Sequence, residues 1–249
     1  MRLTKNIFEQ KASRITRVLL LNAGTSWTTR ELAHEANVSL GYTHATVSTL
    51  LKSGYVTRHA SGNPSVEVVD PIRLLSRWAS YNDYTSNGNQ FIEYYSYDKD
   101  IDTIIDKLAS ASKEDYALTS LSGAWLVSPY VRPIALEAYV YSKSDADSIA
   151  LALNLNPIPK DGNVRFVVPY DTGVFYKTQI TRDVKVVSDV QLYVDLYNFP
   201  ARGQEASGRI LEKIKGVWAD SLLGKGSNEE ALGKQPDLAR LHDAFRGIA

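Results

Sequence analysis

Apolar residues recur every three or four positions near the start of the chain, which is the spacing that places them on one face of an α-helix. Residues 13–23 carry such a stripe, and Gly24 predicts its end. Thr28 and Glu31 then stand three positions apart, which is the spacing of a capping box at the start of a second helix. This helix is short, and Asn37 is predicted to end it in the left-handed conformation.

The following segments predict a third helix and a β-hairpin. The helix begins after Ser39 and ends at Gly54, and its inward face consists of Thr43, Val47, Leu50 and Leu51. Strands are predicted at 55–58 and 66–69, on either side of a turn at 61–64. Three helices followed by a two-stranded hairpin predict a winged helix-turn-helix, whose third helix enters the major groove of DNA.

Candidate DNA contacts surround the third helix. Side chains near its N-terminus can reach base edges or phosphates, the start of the second helix favours an anion, and the hairpin tip can meet the DNA backbone or minor groove. The candidates at these three places are Ser39, Tyr42, His44 and Ser48; Thr28 and Arg30; and Arg58, His59 and Asn63. The third helix carries no arginine, so the usual arginine–guanine contact is missing. Winged helices also serve as protein-binding modules, and that alternative stays open here.

From residue 90 onwards, strand-like apolar runs alternate with helical stripes. Strands are predicted at 91–95, 116–119, 134–141, 164–168 and 184–187, and helices at 101–111, 122–128, 145–153, 189–197 and 201–214. This order predicts an α/β domain, so the fold class of the whole chain is mixed, α+β.

The polar segment at 82–89 is predicted to be a linker, because it contains Asn, Asp, Ser and Gly but few apolar residues. It follows a helix predicted at 71–81. Three units result: a winged helix-turn-helix DNA-binding domain at 1–81, a separate α/β domain at 90–215, and a helical extension or tail at 216–249. The patterning of the last unit does not decide between a docking helix and a loosely held tail.

Charge is distributed unevenly along the chain. Residues 1–80 carry ten Lys and Arg against five Asp and Glu, whereas residues 81–249 carry eighteen against twenty-three. The basic excess coincides with the predicted DNA-binding segment, and contacts to phosphate supply most of the affinity for DNA. The acidic remainder is not expected to bind nucleic acid strongly.

Several classes of protein are disfavoured by composition. The chain has no cysteine, no apolar run of eighteen residues, and no apolar signal segment after Met1. These features predict a cytoplasmic protein without disulfides, cysteine-ligated zinc or a membrane span, and we expect a monomer or a weak dimer.

No catalytic, metal-binding or cofactor-binding residue is predicted. The chain lacks a glycine-rich phosphate loop, and its four histidines have no partner at metal-ligand spacing. One fragment is similar to the nucleotidyltransferase arrangement, in which a Gly-Ser turn precedes a strand with two metal-binding acids. Here Ser122 and Gly123 precede Glu137, but Tyr139 occupies the second acid position. The fragment is either an ordinary strand after a helix or part of a degenerate, non-catalytic nucleotidyltransferase-like fold.

A second polar group lies where Pro200 separates the last two predicted helices. Asp195, Arg202 and Glu205 are expected to meet at this corner, either as an architectural ion-pair network or as a surface for a partner or effector.

The chain resembles the AbiEi family, the antitoxins of type IV (abortive-infection) toxin–antitoxin systems. The likeness runs from about residue 10 to 214 and includes YALTSLSGAWLVSPYVRP at 116–133 and, more specifically, VSDVQLYVDLYNFPARGQEASGRIL at 187–211. The resemblance implies a non-enzymatic regulator that represses its own promoter by binding inverted repeats in double-stranded DNA. It also implies a C-terminal domain that counteracts a nucleotidyltransferase-like toxin without a stable complex being required.

Two other functions remain as alternatives. One is a one-component transcriptional regulator whose C-terminal domain binds a small metabolite, which a deep apolar pocket would favour. The other is an enzyme, which would need more carboxylates than Glu137 alone on its strand.

Overall fold

The computed structural model describes residues 6–60, 63–111 and 115–229 of the 249-residue chain. The predicted turn at 61–64 and the predicted helical pieces at 229–232 and 238–245 lie partly or wholly outside the described residues. The fold is a mixture of helices and two sheets, as the predicted α+β class requires.

The N-terminal part has the order helix, strand, helix, helix, strand, strand, helix. Its elements are α1 (Gln10–Leu21), β1 (Trp27–Thr28), α2 (Thr29–Glu35), α3 (Leu40–Lys52), β2 (Val56–His59), β3 (Ser65–Val68) and α4 (Pro71–Tyr81). β3 lies between β1 and β2 and is antiparallel to both. The short strand β1 was not predicted from the sequence.

Local sequence accounts for the start and end of α2. The backbone N–H of Glu31 donates to Thr28 Oγ1 at 3.2 Å, and the N–H of Thr28 donates to Glu31 Oε2 at 2.9 Å. Asn37 has a φ of 49° and turns the chain towards α3. The predicted capping box and left-handed residue are therefore both confirmed. Ser39 is the N-cap of α3, although its side chain makes no capping hydrogen bond.

The C-terminal part is built on a seven-stranded mixed sheet. Its strands are β4 (Gln90–Tyr95), β5 (Tyr116–Leu118), β6 (Leu136–Val140), β7 (Asn156–Pro157), β8 (Val164–Val168), β9 (Gln179–Thr181) and β10 (Val184–Val186). Their order across the sheet is β7-β4-β8-β6-β5-β10-β9, with β6 parallel to β8 and β5 parallel to β10. Strands β7 and β9 were not predicted, because neither Asn156–Pro157 nor Gln179–Thr181 carries an apolar run, unlike the three-residue strands β5 and β10.

Five helices belong to this part: α5 (Ile101–Ala111), α6 (Ser120–Val127), α7 (Lys143–Ala152), α8 (Asp189–Tyr197) and α9 (Gly203–Glu229). A 3₁₀ turn at Thr172–Phe175 was not predicted. Helix α9 runs on through Gly216, so the predicted boundary at residue 216 falls inside a helix. The indole of Trp218 donates to the Leu20 carbonyl at 3.1 Å, which docks α9 onto α1.

The prediction that residues 82–89 are a linker is wrong. Asn82 and Tyr84 are buried, and the Tyr84 ring lies 5.6 Å from the Phe199 ring and 6.1 Å from the Tyr139 ring. Asn82 Nδ2 donates to the Val194 carbonyl at 3.3 Å, so this polar side chain supports backbone inside the protein. One continuous apolar core includes residues from both parts of the chain.

Candidate nucleic-acid interface and the buried junction

The outer face of α3 is available for contact. Thr43, Val47 and Leu50 are buried against the N-terminal core, as predicted. Ser39 and His44 are exposed, and Ser48 is half-buried beside them. His44 and Ser48, four positions apart, therefore share one face of α3, and Ser39 is exposed at its N-terminus.

Tyr42 is less accessible than its neighbours on α3. It is partly buried and packs against the core. Burial and the nearby Glu9 carboxylate raise the pKa of Tyr42, against a hydrogen bond to the backbone of Ala12 that lowers it. The Tyr42 side chain thus leans on the first turn of α1, an orientation that the sequence did not predict.

At the start of α2, Arg30 is accessible to a ligand, whereas the Thr28 side chain is engaged in the helix cap. The Thr28 hydroxyl donates to Glu31 Oε2 at 2.8 Å and accepts from the Glu31 backbone, so both its roles serve the cap. Arg30 is exposed and has no acidic partner in the part of the chain that the structure describes. Of the two, Arg30 is the one free to bind a phosphate.

Two basic side chains of the β2–β3 hairpin, Arg58 and His59, differ in their contacts within the described residues. Arg58 on β2 is exposed and forms no ion pair within the described residues. His59 Nε2 lies 3.3 Å from Glu67 Oε2 on the paired strand. Asn63 is exposed at the described end of the turn.

The basic residues of the N-terminal part fall into two groups. Arg14 and Arg17 point towards the C-terminal part, with Arg14 Nε 2.8 Å from Asp171 Oδ1. The others are exposed and make no ion pair with any described acid: Lys11, Arg30, Lys52, Arg58, Arg73 and Arg77. These unpaired charges give the N-terminal part a positive surface.

The predicted meeting of Asp195 with Arg202 and Glu205 does not occur. Arg202 and Glu205 form an exposed, bidentate pair with N–O distances of 2.9 and 2.7 Å. Asp195 is only 1% exposed. α8 is buried along almost its whole length. The Asp195 carboxylate therefore points into the protein and has no path to solvent.

Asp195 instead belongs to a buried network that joins the two parts. Its Oδ2 accepts hydrogen bonds from Thr119 Oγ1 at 2.7 Å and from Tyr139 OH at 3.1 Å, and its Oδ1 accepts from Gln191 Nε2 at 2.7 Å. Gln191 Oε1 in turn accepts from Arg17 Nε at 3.1 Å and Nη2 at 2.7 Å. The network therefore runs from the sheet, through α8, to α1.

Burial governs the ionisation of this network. It raises the pKa of Asp195 to about 7, although the hydrogen bonds from Thr119, Gln191 and Tyr139 act in the opposite direction. Burial also lowers the pKa of Arg17. The Arg17 guanidinium carbon lies 5.0 Å from the centre of the buried Trp78 ring, a cation–π contact within the junction.

The fragment around Glu137 is closed rather than open. Ser122 Oγ donates to the Ala135 carbonyl at 3.0 Å and accepts from the Glu137 N–H at 2.9 Å. Glu137 Oε1 lies 2.7 Å from Arg165 Nη1, on the neighbouring parallel strand. Burial raises the pKa of Glu137, and Arg165 opposes this shift. In the described residues, no three His, Asp or Glu side chains are grouped as a metal-ligand set.

Comparison with protein-family models places this architecture among transcriptional regulators. The matching model is described as transcriptional regulator, AbiEi antitoxin, type IV TA system, and it covers residues 67–215. The chain therefore belongs to the AbiEi antitoxin family, and the resemblance seen in the sequence is confirmed. The match begins within β3, so α1 to β2 lie outside it. Comparisons with curated proteins and with solved structures find no match.

None of the helices in the described ranges combines the length and hydropathy needed to cross a bilayer.

A cavity of about 450 Å³ lies where α1, α8 and α9 meet, and both polar and apolar side chains line it.

Proposed function

We propose that this AbiEi-family protein is a DNA-binding repressor of its own promoter. The observation that carries the proposal is the order α1-β1-α2-α3-β2-β3 with β3 central in its sheet, which supports a winged helix-turn-helix. In this arrangement α3 enters the major groove, and the β2–β3 hairpin reaches the adjacent backbone. The exposed Ser39 and His44 on α3 and the unpaired Arg30 and Arg58 beside it fit these contacts.

Binding relies on phosphate contacts and DNA shape as well as on base edges. The α3 helix has no arginine, so a bidentate contact to guanine is missing from its exposed face. Arg30 and Arg58 supply charge on either side of α3 instead, and sequence-dependent DNA shape adds selectivity. The protein is a monomer or a weak dimer in free solution. Two copies of the chain bind the two halves of an inverted repeat in the cytoplasm.

We further propose that the C-terminal part counteracts a nucleotidyltransferase-like toxin without catalysing a reaction. The family description supports the antitoxin role. The non-enzymatic role rests on Glu137, whose carboxylate is held by Arg165, and on Tyr139 at the second acid position. Any kinship with the nucleotidyltransferase fold is then a degenerate one.

Replacing His44 with alanine is expected to weaken binding to the DNA upstream of the protein's own gene by about tenfold, because one base-edge contact contributes roughly 1–3 kcal/mol. Affinity for a scrambled duplex is expected to change by less than twofold, since phosphate contacts remain. Fluorescence anisotropy with labelled duplexes measures both affinities.

Leu151→Ala is the control, because Leu151 is 84% exposed and lies on α7 of the C-terminal part, outside the proposed interface. Equal losses in the two variants, or no loss on the upstream duplex for His44→Ala, would contradict the proposed role of α3. Failure of the wild-type chain to bind the upstream duplex at micromolar concentration would contradict the repressor function itself.

A further inference from the structure

Leu40 is an apolar side chain that the fold leaves exposed at the start of α3. It is the first residue of the helix and is 49% exposed. The apolar residues before and after it in the chain, Val38 and Tyr42, are packed against the core instead. Single exposed leucines are ordinary on protein surfaces, so the position of Leu40 determines what it can bind.

The space around Leu40 is open. Gly41 is exposed, and a Cβ added there would meet no atom within 4 Å beyond the backbone of its own helix. His44 is exposed one helical turn further along, on the same face as Leu40. A ligand that approaches this face can therefore contact Leu40 and His44 together without displacing a larger side chain at Gly41.

The charges around α3 favour an anionic partner. The helix contains no Asp or Glu, and Lys52 lies in its last turn. Arg30 and Arg58, which precede and follow α3 in the chain, form no ion pair within the described residues. Duplex DNA combines a regular row of phosphates with base edges that include an apolar group. An exposed apolar side chain together with unpaired cations fits such a partner.

Base-pair edges in the major groove differ in whether they present an apolar group. Guanine, adenine and cytosine present hydrogen-bond donors or acceptors there, whereas thymine adds a methyl group at C5. Leucine packed against a polar edge would remove water from it without supplying a hydrogen bond, which is unfavourable. Leucine packed against the methyl group buries two apolar surfaces, which is favourable. Because the N-terminal residues of a recognition helix contact base edges, Leu40 is placed to make this distinction.

We propose that Leu40 packs against the 5-methyl group of a thymine in each half of the operator and so determines part of its sequence. The proposal rests on the DNA-binding function proposed above and names the base that one side chain selects. The lack of arginine in α3 agrees with it, because the helix then has no residue for the bidentate contact to guanine. Leu40 selects by shape and apolar contact rather than by hydrogen bonding.

Replacing thymine with deoxyuridine tests the contact, because it removes the methyl group and keeps the base pair. The full chain is titrated by fluorescence anisotropy with synthetic upstream duplexes in which one thymine at a time is replaced. These duplexes contain no 5-methylcytosine, so thymine alone supplies the methyl group. At one position in each half, the affinity of wild type is expected to fall by about fourfold, the effect of one buried methyl group.

Substitutions of Leu40 assign the contact to this side chain. Leu40→Ala is expected to bind the upstream duplex more weakly than wild type and to bind the thymine and deoxyuridine duplexes equally well. Leu40→Met keeps a long apolar side chain and is expected to retain the preference for thymine. Leu151→Ala, at an exposed leucine on α7, is the matched control and is expected to behave as wild type does. Affinity for a scrambled duplex is expected to stay within twofold in every variant.

The unfavourable outcomes are distinguishable. If wild type binds upstream DNA but no deoxyuridine replacement lowers its affinity, the thymine contact is overturned while DNA binding stands. If one replacement lowers the affinity of wild type and of Leu40→Ala equally, another residue contacts that methyl group and the assignment to Leu40 is wrong. If wild type binds no duplex at micromolar concentration, the DNA-binding function fails and the thymine contact fails with it.

Discussion

Replacing Gln191 with leucine is expected to lower the free energy of unfolding by about 2–4 kcal/mol, because a buried polar group left without its hydrogen-bond partner costs about 1–3 kcal/mol, and more when it is charged. Gln191 is the only side chain hydrogen-bonded to the Arg17 guanidinium in the described structure, and it also donates to Asp195. Leucine would leave both groups buried with fewer partners. Urea denaturation followed by tryptophan fluorescence measures the change, since Trp78 lies beside Arg17.

A double-mutant cycle supplies the control. Arg17→Met removes the buried charge, so Gln191→Leu is expected to cost clearly less free energy in that background than in wild type. If the two substitutions are additive, Arg17 and Gln191 are not energetically coupled, which would contradict the proposed role of the network. If Gln191→Leu alone leaves the unfolding free energy unchanged, the network contributes nothing to stability.

The second large effect is a dependence of stability on pH that comes from Asp195. Burial raises its pKa from an ordinary value of 3.8 to about 7 in the folded chain. The folded state therefore holds this proton more tightly than the unfolded state, so stability is lost as pH rises between these two values. At about 1.4 kcal/mol per pKa unit, the loss approaches about 4 kcal/mol.

Asp195→Asn removes this titration while keeping the size of the side chain. The unfolding free energy of wild type minus that of Asp195→Asn is expected to fall by about 4 kcal/mol between about pH 4 and pH 8. Subtraction cancels other buried acids, including Glu137, whose pKa is also raised by burial. Parallel stability curves for the two proteins would show that the Asp195 carboxyl does not change its pKa on folding.

Local sequence signals predicted much of the N-terminal part. The capping box at Thr28 and the left-handed Asn37 depend on residues close in sequence, so they are visible without tertiary contacts. The buried and exposed faces of α3 follow from helical periodicity. Within this part the sequence was less informative about Tyr42, because its packing on α1 depends on how two helices meet.

The junction between the two parts could not be predicted. Asn82 and Asp195 belong to residue types that are mostly exposed, so composition assigned one to a linker and the other to a surface. Their burial depends on partners more than a hundred positions away for Asn82, and on α1 and the sheet for Asp195. Only the fold reveals that these polar groups hydrogen-bond inside a shared core.

The candidate surface residues were likewise predictable only where they depend on local sequence. Arg30 and Arg58 could be proposed from position alone, and the structure leaves both without acidic partners in the described residues. The surroundings of Arg202 could be only half anticipated. Arg202 and Glu205 are close in sequence, but Tyr130 is brought to them by the packing of α9 against the sheet-flanking helices.

We expect the N-terminal part to bind DNA through cations around α3, and the salt dependence of affinity tests this most directly. The measurement compares wild type with the Arg30→Ala, Arg58→Ala double variant on the duplex upstream of the gene, over a series of salt concentrations. Each lost phosphate contact lowers the slope of log affinity against log salt by about 1, so the double variant is expected to show a slope smaller by about 2 and weaker binding to every duplex. An unchanged slope in the double variant, or a wild-type chain that shows no salt-sensitive binding, would contradict it.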